Sequence, residues 1–257
     1  MAMNDLVSII TPMYKGAAFV AETIESVQRQ TYKSWEMIIV DDFSPDGGEG
    51  ISIVKKYSAQ DTRIRLIESK ENKGSSGARN IALRKANGRY IAFLDADDLW
   101  HPDFLSKQLA YMKSKDAILV FSSYRRIDEL SKKDILRPFI VPNTVNYKSL
   151  LKTCPIALCT AIYDTAHCEK YFFNEQLGSM RDDYVYWLTM LKDIGYAYGN
   201  QDILVDVRLR KGSVTGDKKK VIIPQWKVLR NVERLPLLLC CYYIICWAFI
   251  SYRKYRK

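Results

Sequence analysis

Residues 72–102, NKGSSGARNIALRKANGRYIAFLDADDLWHP, run from a helix through a turn into a strand that stops at three carboxylates. The helix is expected over residues 76–86, with Ile81 and Leu83 on its apolar side. Asn87-Gly88 is a turn dipeptide, and the apolar run 90–94 reads as a buried strand. The strand ends in Asp95, Asp97 and Asp98, like charges that are costly to bury without a counterion. Residues two apart on a strand point the same way, so Asp95 and Asp97 share a face and the turn brings Asp98 round. Such oxygen donors suit a hard divalent cation, Mn2+ or Mg2+, whose shell diphosphate oxygens would complete. Alone, the tetrapeptide reads as well as a solvated acidic turn or a helix N-cap.

Working outward, apolar runs at 7–10 and 37–40 end at Thr11-Pro12 and Asp41-Asp42. A helix is expected between them over 18–30, where Val20, Ile24 and Val27 recur at helical spacing, and another over 50–59 through Ile51, Val54 and Tyr57. This alternation predicts an α/β fold, a doubly wound and mostly parallel sheet flanked by helices, which binds ligands beyond the carboxyl ends of its strands. The acidic residues stand at those ends. Beyond residue 103 the pattern gives a helix over 104–113, a strand over 117–122, a loop-rich stretch to 150 and a helix over 182–191, and leaves the order of the later strands open. The division is a nucleotide-binding half, 1–103, a second half, 104–220, and a tail, 221–257.

The net charge of +10 over 257 residues suggests nucleic acid until its distribution is read. Residues 1–205 carry 26 Lys+Arg against 26 Asp+Glu, and residues 206–257 carry 13 against 3. The excess belongs to the stretch holding the uncharged run 235–250, which fits an anionic membrane surface better than a duplex. The six cysteines form no Cys-x-x-Cys pair and only two histidines exist, so a zinc site is not expected. No signal peptide is visible before the first apolar run, which suits a reducing cytosol.

At one sheet edge lie Thr11-Pro12, Asp41-Asp42, the Gly/Ser loop 74–77 with Lys73 and Arg79, and the acidic strand end. Carboxylates for ribose and metal beside cations for phosphate are what a nucleotide needs, although each segment alone reads as an ordinary turn. The ordered set VSIITPMYK, IIVDDFSPD and the segment quoted first resembles the family 2 glycosyltransferases with the GT-A fold, strongly over residues 6–110 and weakly to about 215. The resemblance implies that Thr11, Pro12, Tyr14 and Asp42 hold the nucleoside, with Arg79 near the base or phosphates; Lys73 joins the nucleotide-binding candidates as the loop's other cation. It implies that Asp97 and Asp98 bind ribose and metal, with Asp95 sharing that role. RDDYVYWLTML is similar to the family's catalytic helix, which makes Asp183 the base and Asp182 its neighbour, with Asp where the family usually has Glu. VRLRKGSVT matches the family's segment after the last core strand at Arg208 and Ser213. Arg210 replaces a frequent histidine, so Arg208 and Arg210 become phosphate-binding candidates. His101, beside Pro102, reads as a surface or packing residue.

The resemblance implies an inverting transfer from a nucleotide-sugar donor, UDP-linked, to a hydroxyl of a lipid-diphosphate-linked saccharide in bacterial surface-polysaccharide synthesis, at the cytoplasmic face of the membrane. The rival functions are a sugar nucleotidyltransferase, disfavoured by the lack of a Gly-rich basic loop after the first strand, and a non-catalytic nucleotide-sugar-binding protein. In the tail, residues 225–235 read as a basic amphipathic helix with Trp226, Leu229, Val232 and Leu235 on one side. The 16 residues of 235–250 cover ~24 Å against a bilayer core of ~30 Å, so a monotopic insertion is expected over a full span, with a core helix or a homodimer contact as the alternative.

Overall fold

The computed structural model describes residues 5–130, 132–177, 181–209 and 218–255. The first half is a run of βα units: β1 (Val7–Met13), α1 (Val20–Gln28), β2 (Trp35–Asp41), α2 (Glu49–Gln60), β3 (Ile64–Glu68), α3 (Gly74–Lys85) and β4 (Tyr90–Phe93). A two-residue strand, β5 (Leu99–Trp100), and α4 (Phe104–Lys115) lead into the second half. There follow β6 (Leu119–Asp128), β7 (Asp134–Phe139), β8 (Thr144–Asn146), α5 (Tyr147–Lys152), β9 (Ala161–Asp164), α6 (Asp182–Ile194) and β10 (Tyr196–Leu209). The tail forms α7 (Lys218–Lys227), a π-helical turn over Val228–Val232, and α8 (Leu237–Tyr255).

Among the described residues the strands join in one sheet, ordered β3-β2-β1-β4-β9-β6-β10-β5, with β7 on β6 and β8 on β10. The expectation of a mostly parallel sheet holds for its first half only. β3, β2, β1 and β4 are parallel, as helical crossovers require. Beyond β4 the sheet is mixed: β9 enters antiparallel between β4 and β6, β7 returns as a hairpin on β6, and β5 and β8 run antiparallel to β10. Only the β6–β10 pair is parallel there.

β2 and β4 are buried along their whole length and β1 nearly so, because helices cover both faces of the sheet. Gly88 is fixed by close approach: a Cβ there would lie 2.6 Å from the Leu6 carbonyl oxygen and 2.7 Å from the Ser8 nitrogen. In the second half, Tyr186 of α6 stacks on Phe173 with ring centroids 4.2 Å apart and meets Phe93 of β4 edge-on at 5.6 Å. This aromatic cluster seats α6 on the sheet.

The tail departs from its expected form. Pro224 lies inside α7, the chain widens into the π-turn, and Arg234 (φ 53°) and Pro236 stop it before α8. Trp226, Leu229, Val232 and Leu235 do share a side, but that side packs against the main core, where Leu229 and Cys240 are fully buried. Glu233 ties the turn down by accepting from Tyr147 Oη at 2.5 Å and pairing with Lys192 Nζ at 2.7 Å. Apolar surface is left outward on α8 at Leu238, Tyr242, Ile245 and Phe249. No helix among the described residues is long and apolar enough to cross a membrane.

Candidate active site

The carboxyl ends of β1, β2 and β4 open on a cleft of about 940 Å³, closed on its far side by the start of α6 and by Val221 of α7. Two neighbouring carboxylates end β2. Asp41 is buried and holds the following turn, accepting from Ser44 N at 3.1 Å and Ser44 Oγ at 2.6 Å. Asp42 lines the cleft, and its Oδ1 accepts the Lys73 amide at 2.7 Å. Burial, with the Asp41 charge behind it, raises the Asp42 carboxyl above its ordinary range despite that amide. The Lys73 ammonium is exposed and pairs with Glu71 at 2.9 Å, so the residue meets Asp42 through its backbone. Pro12 and Tyr14 line the cleft, whereas Thr11 is fully buried and outside the lining. Phe43, 60% exposed with φ 58°, adds an aromatic wall that the sequence reading missed. A large aromatic directly after the Asp-Asp pair was its one available signal.

The acidic end of β4 is clamped from α1, where Thr23 Oγ1 donates to the carbonyls of Ala96 and Asp98, each at 3.0 Å. The three carboxylates then diverge. Asp95 accepts from Arg79 at 2.7 Å. Asp97 lines the cleft. Asp98 is buried and accepts the Arg208 amide at 3.0 Å, and burial followed by the charges of Asp97 and Asp95 pushes its carboxyl well up. Among the described residues no three His, Cys, Asp or Glu side chains converge as a metal site. Asp95 has a built-in cation and Asp98 an amide. The donor chemistry still fits a divalent cation, because Asp97 and Asp98 both line the cleft and offer the carboxylate oxygens that such a cation takes.

Arg79 is a bridge. Its guanidinium, 7% exposed, joins Asp95 to Asp182 at 3.1 Å, and Asp182 also accepts from Ser75 Oγ at 3.1 Å and Ser76 Oγ at 2.9 Å. The first turn of α3 therefore holds the first residue of α6. Asp182 is committed to that network, while Asp183, half-buried, lines the cleft and accepts the Tyr184 amide at 2.7 Å. Burial and then the adjoining Asp182 charge raise the Asp183 carboxyl, against the pull of Arg181 and Arg79.

The Arg208 side chain is 2% exposed, pairs with Glu22 of α1 and lies over Phe19 at 5.0 Å. Arg210 and Ser213 lie outside the described residues. His101 is outside the cleft lining, with Nε2 2.9 Å from Asp206 Oδ1, and Arg125 grips the same carboxylate at 2.7 and 2.8 Å.

A sheet whose parallel strand ends gather carboxylates across a cleft from a helix-borne aspartate has the architecture of the GT-A fold. The sequence pattern described as "Glycosyl transferase family 2" matches residues 8–173, and the chain belongs to that family. It is 34% identical, over 98% of its length and 96% of the relative's, to "UDP-Glc:alpha-D-GlcNAc-diphosphoundecaprenol beta-1,3-glucosyltransferase WfgD" of Escherichia coli. Its fold is similar to that of S. aureus TarS 1-349 in complex with UDP-GlcNAc, with a TM-score of 0.70 at 18% identity over 94% of this chain and 71% of that one. It is also similar to the mannosyltransferase PcManGT of Pyrobaculum calidifontis in complex with GDP-Man and Mn2+, with a TM-score of 0.63 at 18% identity over 95% of this chain and 70% of that one.

Proposed function

We propose that this glycosyltransferase moves a sugar from a UDP-sugar onto a hydroxyl of a lipid-diphosphate-linked saccharide, with inversion, in bacterial surface-polysaccharide synthesis at the cytoplasmic face of the membrane. The observation that carries the reading is the placing of Asp183 on one wall of the cleft with Asp42, Asp95 and Asp97 on the other. Asp42 and the aromatic side chains Tyr14 and Phe43 suit the nucleoside. Asp97, backed by Asp98, would hold Mn2+ or Mg2+, which when bound neutralises charge on the leaving diphosphate. The acceptor hydroxyl gives its proton to Asp183 and attacks the anomeric carbon from the face opposite the departing nucleoside diphosphate. An α-linked donor then yields a β-linked product. The raised Asp183 carboxyl suits a base, because proton affinity is what the step demands.

The lipid part of the reading rests on α8. Leu238 (83% exposed), Ile245 (69%) and Phe249 (61%) recur on one side of a helix flanked by the exposed Lys227, Arg230 and Arg234. Such a face lies in a headgroup plane without spanning it. The name of the E. coli relative, whose acceptor is a diphosphoundecaprenol-linked sugar, supports the acceptor class.

The test is incubation of the full chain with a panel of UDP- and GDP-sugars, Mn2+ and a GlcNAc-diphosphate lipid, followed by product analysis. Asp183→Asn is expected to keep donor affinity and lose turnover by about 10² or more. The acid limb of kcat should lie above the ordinary aspartate range, since Asp183 must be deprotonated and its carboxyl is raised. Near-normal turnover of the variant would return Asp183 to a helix-capping role.

A further inference from the structure

Between the tail and the catalytic carboxylates stands Arg181, the residue before α6. Its φ of 71° lies in the left-handed region, which a non-glycine residue keeps only where its surroundings hold it. Its carbonyl accepts the Val185 amide at 3.1 Å and so opens the first turn of α6. Its guanidinium donates to Gln225 Oε1 of α7 and lies over the rings of Tyr184 at 5.0 Å and Trp247 of α8 at 5.7 Å. Gln225 is 1% exposed and Trp247 9%, so this grip is built into the interior. Asp183 lies two residues on, and Arg181 itself lines the cleft.

We propose that Arg181 is a positioning residue: held by Gln225 and Trp247, it fixes the start of α6 and hence Asp183, so that the tail is a wall of the active centre instead of a removable anchor. The inference rests on the reading of Asp183 as the base. Two holds then act on the same turn from opposite sides, α3 on Asp182 through Ser75, Ser76 and Arg79, and the tail on Arg181. The charged groups about Asp183 are Asp182 and Arg181 beside it in the chain and Arg79 from α3. Of these, Arg181 is the one the tail controls. A protein that meets lipid through the outer face of α8 thereby joins that contact to its catalytic turn through one side chain.

The experiment compares full-length Arg181→Gly, Arg181→Lys, Gln225→Ala and Asp183→Asn with the parent. Glycine accepts the left-handed backbone, so Arg181→Gly removes the grip without straining the turn. Arg181→Gly and Gln225→Ala are expected to lower kcat about tenfold or more, the scale of small misplacements of a catalytic group, with donor KM and calorimetric affinity for UDP with Mn2+ unchanged. Amide hydrogen exchange at residues 185–187 should quicken in both. The acid limb of kcat should move to higher pH in Arg181→Gly and return in Arg181→Lys, which restores the charge. Parent-like kcat and exchange in Arg181→Gly and Gln225→Ala overturn the proposal. A loss of UDP affinity at unchanged kcat also overturns it, by making Arg181 a diphosphate ligand. If Asp183→Asn turns over normally, the assignment of the base fails first. If Asp183→Asn is inactive and Gln225→Ala normal, only the tail's role fails.

Discussion

The two walls of the cleft are built differently. On the side of β2 and β4 each carboxylate stands at or just past the end of its own strand, and Thr23 of α1 and the Arg208 amide brace the end of β4 further. On the side of α6 the aspartates are placed by distant residues: Asp182 by Ser75, Ser76 and Arg79, 103 to 107 positions earlier, and the preceding Arg181 by Gln225, 44 positions later. A wall made of contiguous units tolerates the loss of a contact, because its strands stay paired. A wall held by a few long-range polar contacts concentrates its stability in single side chains.

Asp97→Asn tests the first wall at the metal-binding role proposed for it. It should abolish the Mn2+ dependence of UDP binding and leave the circular dichroism spectrum unchanged, and an unaltered calorimetric titration would remove Asp97 from the proposed metal site. Arg79→Met tests the joint between the walls. It strands the buried Asp182 without its cation, and loss of one partner of a buried ion pair costs about 3–5 kcal/mol, while the more exposed Asp95 adds little. Urea unfolding measures it, and a cost below about 1 kcal/mol would mean that the network is no tighter than a surface pair.

Leu238→Ser with Ile245→Ser separates the tail's two faces. Both residues are exposed, so folding should hold while co-sedimentation with anionic liposomes drops several-fold. Binding equal to the parent's would shift the contact away from α8, and a change in oligomeric state instead would make the face a contact between two copies.

The smallest effect belongs to His101→Ala, about 1 kcal/mol or less at neutral pH, since Arg125 stays on Asp206. Burial pushes the Asp206 carboxyl up, but hydrogen bonds from His101 and Arg125 outweigh it and hold it at about 2. With a folded value below the unfolded one of about 3.9, its stabilisation is present above that value and lost as pH falls towards 2. The variant should therefore show a shallower loss of stability between about pH 4 and 2, followed by thermal melts.

What was legible in the sequence follows the same division. β1, β2, β4 and α1 through α4 are visible because period and burial are local: a short apolar run bounded by turn residues suits a strand covered on both faces. β3 escaped, for as an edge strand it is mostly half-exposed and carries little pattern. β9 and β10 escaped because their neighbours are chosen by topology, which periodicity does not encode. At the site, Asp42, Asp97 and Asp183 line the cleft, as do the motifs that carry them. The bridging of Arg79, the turning away of Lys73 and the pairing of Arg208 with Glu22 at the edge of the cleft do not appear in any spacing. Each depends on a partner in another segment: Asp182 for Arg79, Glu71 for Lys73, Glu22 for Arg208.

The entry of β9 between β4 and β6 has a consequence for synthesis on the ribosome. When β4 has emerged, its outer edge has no neighbour until residues 161–164 follow, some seventy positions later. Through that interval the nascent sheet presents the unsatisfied amides and carbonyls of an apolar strand, the kind of border on which chains stick to one another. Closing it spans a long loop, a slow step in a topology of distant pairings. Slower elongation before residue 161 should accordingly raise the insoluble fraction, and a chaperone that shields the open border should lower it.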